Sequence, residues 1–248
     1  MQDPSRYIRR QMSAVDGWLH RTSAEAIAAL GRGGNAAEIG VHHGKLFILL
    51  SLLCDHAYAI DVFDSALNVD ESGAGDRGIF ERNMARYGGR YTIIQRDSAQ
   101  VSPAELPPIR LFSVDGAHTA AMTEHDLRLA AEVLVPGGVI ILDDYFNDYW
   151  PDVSVGANRV LAEGKIFPFA ITPGKVLLTN ADPEPHLAAL ARSAAFVAFR
   201  DMAGHRVALL QDEHTALLQR VMRTGVYRRV RAQPWFAPVK RLGRRMLG

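Results

Sequence analysis

The sequence predicts a doubly wound α/β fold built on a mostly parallel seven-stranded sheet with a terminal antiparallel hairpin. Three observations carry this. Short apolar segments alternate with helical ones from about residue 35 to 180. The first five strand segments are apolar on both faces, as strands covered by helices on either side must be. The last two, Phe167–Thr172 and Lys175–Thr179, are joined by Pro173-Gly174, a hairpin signal that closes the sheet with an antiparallel pair.

The elements follow in order. Residues 5–31 read as an amphipathic N-terminal helix whose apolar positions include Ile8, Met12, Val15, Leu19, Ile27 and Leu30. The period fails near Gly17, so the segment divides readily into two helices. Gly31–Asn35 is a turn. Ala36–Val41 is the first strand, Gly44–Asp55 an apolar helix and Ala57–Val62 the second strand. A long polar loop, Asp64–Gly75, leads to a helix at Arg77–Tyr87 and a third strand at Tyr91–Gln95. Pro103, Pro107 and Pro108 punctuate the approach to the fourth strand, Ile109–Val114. Thr119–Leu134 is a helix facing inward through Leu127, Ala130 and Leu134. Pro136–Gly138 turns into the fifth strand, Val139–Leu142. A helix runs from Asp152 to about Glu163 ahead of the closing pair. Residues 184–193 are helical in pattern, and Phe196–Met202 with Arg206–Leu210 form a candidate second hairpin. The expected organisation is a helical cover at 1–34, a core domain at 35–182 and an extension at 183–248.

Composition narrows the function. The chain has 248 residues, 48% of them hydrophobic and 22% charged, with a formal net charge of +1, values of an ordinary globular protein. One cysteine, Cys54, permits no internal disulfide and no cysteine-cluster metal site. Met1–Gln11 lacks the apolar core of a signal peptide. The longest apolar run, around Leu46–Cys54, is short of the roughly 20 residues a membrane helix needs. These features point to a cytoplasmic protein. The charge is uneven: residues 221–248 hold eight Lys/Arg and no acid, leaving 20 basic and 27 acidic groups in the rest.

In an open α/β sheet, ligands bind beyond the carboxyl ends of the strands, where strand order reverses. Four of the five places just after the parallel strands hold a carboxylate: Asp61, Asp97, Asp115 and the pair Asp143-Asp144. The first turn reads Glu38-Ile39-Gly40-Val41-His42-His43-Gly44-Lys45. Its glycines allow close backbone approach to a ligand. It is neither G-x-G-x-x-G nor a P-loop: the spacing to Gly44-Lys45 is one short, and Leu46 stands where Ser/Thr would bind Mg²⁺. A plain strand–helix turn with a solvated Glu remains open. Asp61 is placed to accept both hydroxyls of a ribose, or to cap the following loop. Asp97-Ser98 reads either as an adenine edge or as a cap.

The run Glu38-x-Gly40-x-x-x-Gly44, Asp61, Val114-Asp115-Gly116-Ala117-His118 and Val135-Pro136-Gly137-Gly138 through Asp143-Asp144-Tyr145 resembles a class I S-adenosylmethionine-dependent methyltransferase over about residues 35–180. Within that Rossmann-like class it is similar to metal-assisted O-methyltransferases acting on sugars and secondary metabolites. The resemblance implies that Glu38, Gly40 and Gly44 line the methionine part of the cofactor, that Asp61 holds the ribose, and that Asp97 and Ser98 flank the adenine. Asp115 borders the cofactor too. Asp115, Asp143 and Asp144 match the positions that bind a divalent metal. The chain departs from some relatives in carrying His118 where they place a further acid nearby, which leaves the general base open.

Chemistry supports a cation independently but less specifically. Adjacent parallel strands would bring Asp115 and Asp143-Asp144 together, and clustered carboxylates repel unless protonated or neutralised. Oxygen ligands favour a hard ion such as Mg²⁺, which would orient a hydroxyl and lower its pKa. The alternative is that Asp143-Asp144 binds loop amides. His118, beside Asp115, is the preferred general base, since imidazole titrates near neutrality. His42 and His43 compete for that role, although each reads better as a wall or packing residue.

The Asp64–Gly75 loop is long for its position. With Asp70, Glu71, Gly73, Gly75 and Asp76 it reads as a mobile cover or hydroxyl-binding edge. Tyr145, Phe146, Tyr149 and Trp150 suit either a sugar ring or packing, and packing is the commoner use. The basic tail, with Trp235 and Phe236 among its arginines, reads first as a solvated or oligomer-docking segment. Peripheral contact with anionic lipid is the second reading, and nucleic acid is not expected. The expected partner is a small-molecule or glycan hydroxyl acceptor. A homodimer through the N-terminal helices is an alternative to their capping the cleft. Two rival functions stand: a cofactor-binding protein of this fold without catalysis, and an NAD-type dehydrogenase, which the missing G-x-G-x-x-G disfavours.

Overall fold

A computed structural model describes residues 3–64, 75–212 and 215. The loop residues Asp70, Glu71 and Gly73 and the basic tail lie outside the described residues. A single nine-stranded sheet runs in the order β3-β2-β1-β4-β5-β7-β6-β9-β8. Its parallel part comprises β1 (Asn35–Ile39), β2 (His56–Asp61), β3 (Tyr91–Gln95), β4 (Ile109–Val114) and β5 (Leu134–Asp143). The chain winds outward from β1 to β3, then returns to place β4 against the other side of β1. The switch point therefore lies between β1 and β4.

β7 (Lys175–Thr179) inserts antiparallel between β5 and β6 (Phe167–Thr172). The expected seven strands are all present. The candidate second hairpin, β8 (Phe196–Met202) and β9 (His205–Leu210), adds two more to the same sheet, because β9 pairs parallel with β6. Residues 196–210 thus continue the central sheet.

Both faces are covered, and strand alternation divides the core in two. Ala36, Ile141 and Leu177 face one layer; Ala37, Ile140 and Leu178 face the other. The first layer includes α3 (Lys45–Leu53), buried continuously from Leu46 to Leu53. A helix apolar all round must be covered on its outer side as well. The N-terminal segment supplies that cover. It runs as a short α-turn α1 (Pro4–Arg6), a π-turn (Tyr7–Gln11) and a 3₁₀ turn (Met12–Ala14), then α2 (Arg21–Ala29). The break at Gly17 that the periodicity marks lies between them. Buried Tyr7 donates its hydroxyl to Lys45 O at 2.7 Å, and Lys45 Nζ donates to Gly17 O at 2.7 Å.

α4 (Arg77–Tyr87) begins at Asp76, whose carboxylate accepts Ile79 N–H at 2.7 Å. On the opposite face, α5 (Ala120–Val133) and α6 (Pro151–Leu161) pack on the second layer, and α7 (Glu184–Ala191) lies on the first. The Pro136-Gly137-Gly138 sequence is not a turn before β5 but an irregularity inside it: Ile109 pairs with Leu134 and Leu111 with Val139. Gly137 takes φ +72°, and its N–H reaches Asn180 Oδ1.

Candidate active site

A cleft of about 900 Å³ opens over the carboxyl ends of the strands at the switch point. It runs from Asp61 and Asp97-Ser98, across Gly40, to Asp115 and His118. That size suits a nucleoside-bearing cofactor beside a small acceptor.

At one end, Asp61 accepts N–H bonds from His42 (Oδ2, 3.0 Å) and Phe63 (Oδ1, 2.7 Å). Both bonds favour the carboxylate, but burial outweighs them and raises its pKa. Asp97 accepts Ala99 N–H at 2.9 Å, so its side chain caps a 3₁₀ turn while also standing in the cleft wall beside buried Ser98. The capping role is observed, and the pair also borders the cleft.

Gly40 forms the floor. It has φ +79°, and a Cβ there would lie 1.8 Å from the Asp115 carbonyl oxygen. Only glycine lets the turns after β1 and β4 meet this closely. Gly44 caps α3 and packs under the Phe80 ring; it is not part of the cleft lining. Neither is Glu38, which sits within β1, opposite Ser113 of β4. Glu38 is buried and its Oε2 has no hydrogen-bond partner. Burial pushes its carboxyl up to about 8, against the pull of Lys175. The structure therefore places Glu38 beneath the site.

At the other end, paired Val114 and Leu142 deliver Asp115 and Asp143-Asp144 side by side. The Asp115 and Asp143 carboxyl groups stay within hydrogen-bond reach of each other, while Asp144 turns toward His118. Asp143 turns inward to an ion pair with buried Lys175, and its Oδ1 accepts Asp144 N–H at 3.1 Å. Burial, then Asp143, raises the Asp115 carboxyl well above the usual range. Asp144 adopts φ +57°. Its Oδ1 accepts Asn147 Nδ2–H at 2.9 Å, and its Oδ2 lies 3.3 Å from His118 Nε2. Burial works against the Asp144 carboxylate, yet His118 and Asn147 hold its pKa below the ordinary value. His118 Nε2 is 4.0 Å from Asp115 Oδ1, and its ring stacks on Trp150 at 4.5 Å.

The all-oxygen set of Asp115, Asp143 and Asp144 is thus not what converges. Asp115, His118 and Asp144 are the three that bring ligand atoms together, and both Asp143 oxygens are already engaged. The converging set is therefore two carboxylates and an imidazole, which differs from the three-carboxylate set that the resemblance implies.

His42 lines the cleft, its ring centre 3.8 Å from that of His43 at a tilt of 35° and next to Trp18. His43 pairs with Asp16 at 3.3 Å. His42 thus occupies a wall position, and His43 packs behind it. Burial, then His43, lowers the pKa of His42.

Packing describes only half of the aromatic group. Tyr145 donates to Asn158 Oδ1 at 2.8 Å, and Trp150 packs on His118. Trp150 also lines the cleft, and Phe146 and Tyr149 line it with 65% and 71% exposure, as does Trp18 at 77%. Nothing in local patterning separates these pairs. Lys175 was readable only as a strand residue. Its one signal is a lone charge opening an otherwise apolar β7 segment, directly after a Pro-Gly turn.

A doubly wound sheet with a ligand cleft at its switch point, an acid ending β2 and a glycine turn ending β1 is the arrangement expected of a class I S-adenosylmethionine-dependent methyltransferase domain. Residues 37–145 match the family described as a methyltransferase domain, and the chain carries such a domain. Among solved structures it is similar to the O-methyltransferase NovP, with 18% identity and a TM-score of 0.52 over 60% of this chain and 72% of that one. It is also similar to an rRNA methylase from Streptococcus thermophilus, with 16% identity and a TM-score of 0.50 over 67% of this chain and all of that one. At such identities these likenesses establish the fold alone. No curated protein sequence matches the chain. Among the described residues no helix is long and apolar enough to cross a membrane.

Proposed function

We propose that the chain methylates a hydroxyl group of a sugar, glycan or glycosylated small molecule. The observation that carries this is the His118–Asp144 pair at the cleft floor, with exposed Phe146 and Tyr149 beside it. The neighbours do not choose the acceptor, since one is an O-methyltransferase and another an rRNA methylase. The aromatic rim favours a ring-bearing acceptor, because the apolar faces of sugars and aromatics stack on such side chains.

The cleft fits S-adenosylmethionine: Asp61 faces the ribose end, Asp97-Ser98 the base end, and the Gly40 backbone the space between. When bound, the cofactor supplies an electrophilic methyl group. This chain's residues do the rest. Asp144 favours the His118 tautomer that carries its proton at Nε2. His118 takes the acceptor hydroxyl proton as the O–CH₃ bond forms and the CH₃–S bond breaks. Asp144 then stabilises the imidazolium. The cleft walls align oxygen, carbon and sulfur, and such alignment contributes a large share of the rate. No step requires a metal, and Asp143 is committed to Lys175.

The test is calorimetric titration with S-adenosylmethionine, followed by acceptor screening with S-adenosylhomocysteine release as the readout. Micromolar binding and turnover on hydroxylated acceptors are expected. Binding without turnover on any hydroxyl acceptor would overturn the O-methylation reading. A cytoplasmic location belongs to the same proposal.

A further inference from the structure

The strand-end acids of this site carry their own cation. Lys175 opens β7 directly opposite Asp143 in the antiparallel register. Its side chain is buried, yet it borders the cleft. Its ammonium donates to Asp143 Oδ2, and the carboxyl groups of Asp115 and Glu38 lie near enough to favour its charged form as well. Asp143 Oδ1 is taken by the Asp144 amide at 3.1 Å, and the Asp144 amide also donates to Gly174 O at 3.0 Å. Both oxygens of Asp143 are therefore engaged by protein groups set by the Pro173-Gly174 turn. Asp144 is similarly committed, to Asn147 and His118.

We propose that Lys175 performs the charge neutralisation that a divalent ion would otherwise perform at the ends of β4 and β5, so that this chain binds no catalytic metal and transfers methyl groups without one. A buried ammonium is a fixed charge that a chelator cannot remove. A dication seated between Asp115, His118 and Asp144 would share Asp115 with that ammonium, and like charges in a partly desolvated site repel strongly. His118 would also have to give its Nε2 lone pair to the ion, surrendering the Asp144 contact that orients it. Lys175 touches neither donor nor acceptor in this account. It is a positioning residue that holds Asp143 inward and steadies Asp115 beside His118.

The activity arm of the test rests on the methyl-transfer reading; the metal arm does not. Manganese(II) is titrated into the full chain and free ion is followed by electron paramagnetic resonance. Wild-type protein is expected to leave the free signal undepleted at concentrations near that of the protein. Stoichiometric uptake that Asp144→Asn abolishes would overturn the proposal. Lys175→Met, close in shape but uncharged, is expected to bind manganese at least tenfold more tightly than wild type. A folded Lys175→Met protein showing no gain would overturn the role of Lys175. Should that variant fail to fold, the wild-type titration still decides. Turnover is expected to be unchanged in EDTA, and loss in EDTA with recovery on adding Mn²⁺ would overturn the proposal. Absence of S-adenosylmethionine binding would sink the methyl-transfer reading while leaving the manganese result to stand alone.

Discussion

His118 and Asp144 face each other across the ends of β4 and β5, with Nε2 of the imidazole 3.3 Å from Oδ2 of the carboxylate. Trp150 stacks on the same ring at 4.5 Å. Two constraints on one imidazole, a polar one at its edge and an apolar one on its face, orient a proton acceptor. Replacing His118 by Ala is expected to lower kcat by roughly a hundred- to ten-thousand-fold while leaving the S-adenosylmethionine Kd nearly unchanged. Steady-state kinetics with calorimetry checks this, and equal turnover in mutant and wild type removes His118 from the chemistry.

Asp61 ties the turn after β1 to the end of β2 by accepting the His42 and Phe63 amides, and it borders the cleft where a ribose would lie. Asp61→Ala removes a charged acceptor, worth about 1.5–3 kcal/mol per hydrogen bond. Cofactor affinity is expected to fall by at least tenfold in calorimetry. An unchanged Kd would move the ribose elsewhere.

Gly40 is where two turns touch. Alanine there would place its Cβ 1.8 Å from the Asp115 carbonyl oxygen, at φ +79°. Overpacking and left-handed strain together cost about 2–5 kcal/mol. Gly40→Ala is expected to lower Tm sharply, to bind cofactor poorly, or to yield insoluble protein. A wild-type Tm would show that the turns can separate.

Glu38 gives stability a pH dependence of definite sign. Buried in β1 with a pKa near 8, it keeps its proton while the unfolded chain loses it above about 4.5. The folded state then binds more protons than the unfolded one. Stability from this group is full below pH 4.5 and declines as pH rises toward 8, at up to about 1.4 kcal/mol per pH unit. Glu38→Gln has no proton to lose, so its Tm is expected to gain on wild type between pH 5 and 8. Parallel melting curves across that range would mean that Glu38 ionises in the folded protein as it does in water.

Phe146 and Tyr149 stand exposed at the cleft, where large apolar side chains need a reason to remain. Replacing both by Ala is expected to raise acceptor KM about tenfold, at roughly 0.5–1.5 kcal/mol per ring. Donor affinity and Tm are expected to change little. A falling Tm with unchanged KM would assign the rings to packing.

Local pattern carried far in this chain. Alternation of apolar strands with helices located every parallel strand, and the Pro173-Gly174 turn located the closing pair. The same pattern put acids at the strand ends, because those ends are where a doubly wound sheet exposes its backbone to a ligand. Glu38 shows where pattern falls short. It adjoins the glycine turn in sequence, yet strand alternation points its side chain into protein.

What the sequence by itself determined is therefore the winding of the sheet, the position of the cleft and the strand-end acids, with Gly40, that gather there. Those properties follow from periodicity and chain order, which are local. Only the tertiary structure decided which way each acid turns, and it did so through a strand distant in sequence. β7 runs antiparallel beside β5 and sets Lys175 against Asp143, 32 residues away. That pairing draws Asp143 inward and leaves Asp144 to His118. It also decided that residues 196–210 join the sheet, since β9 finds its partner in β6. Side-chain charge partners and strand neighbours of this kind depend on register between remote segments, and no window of sequence contains both halves.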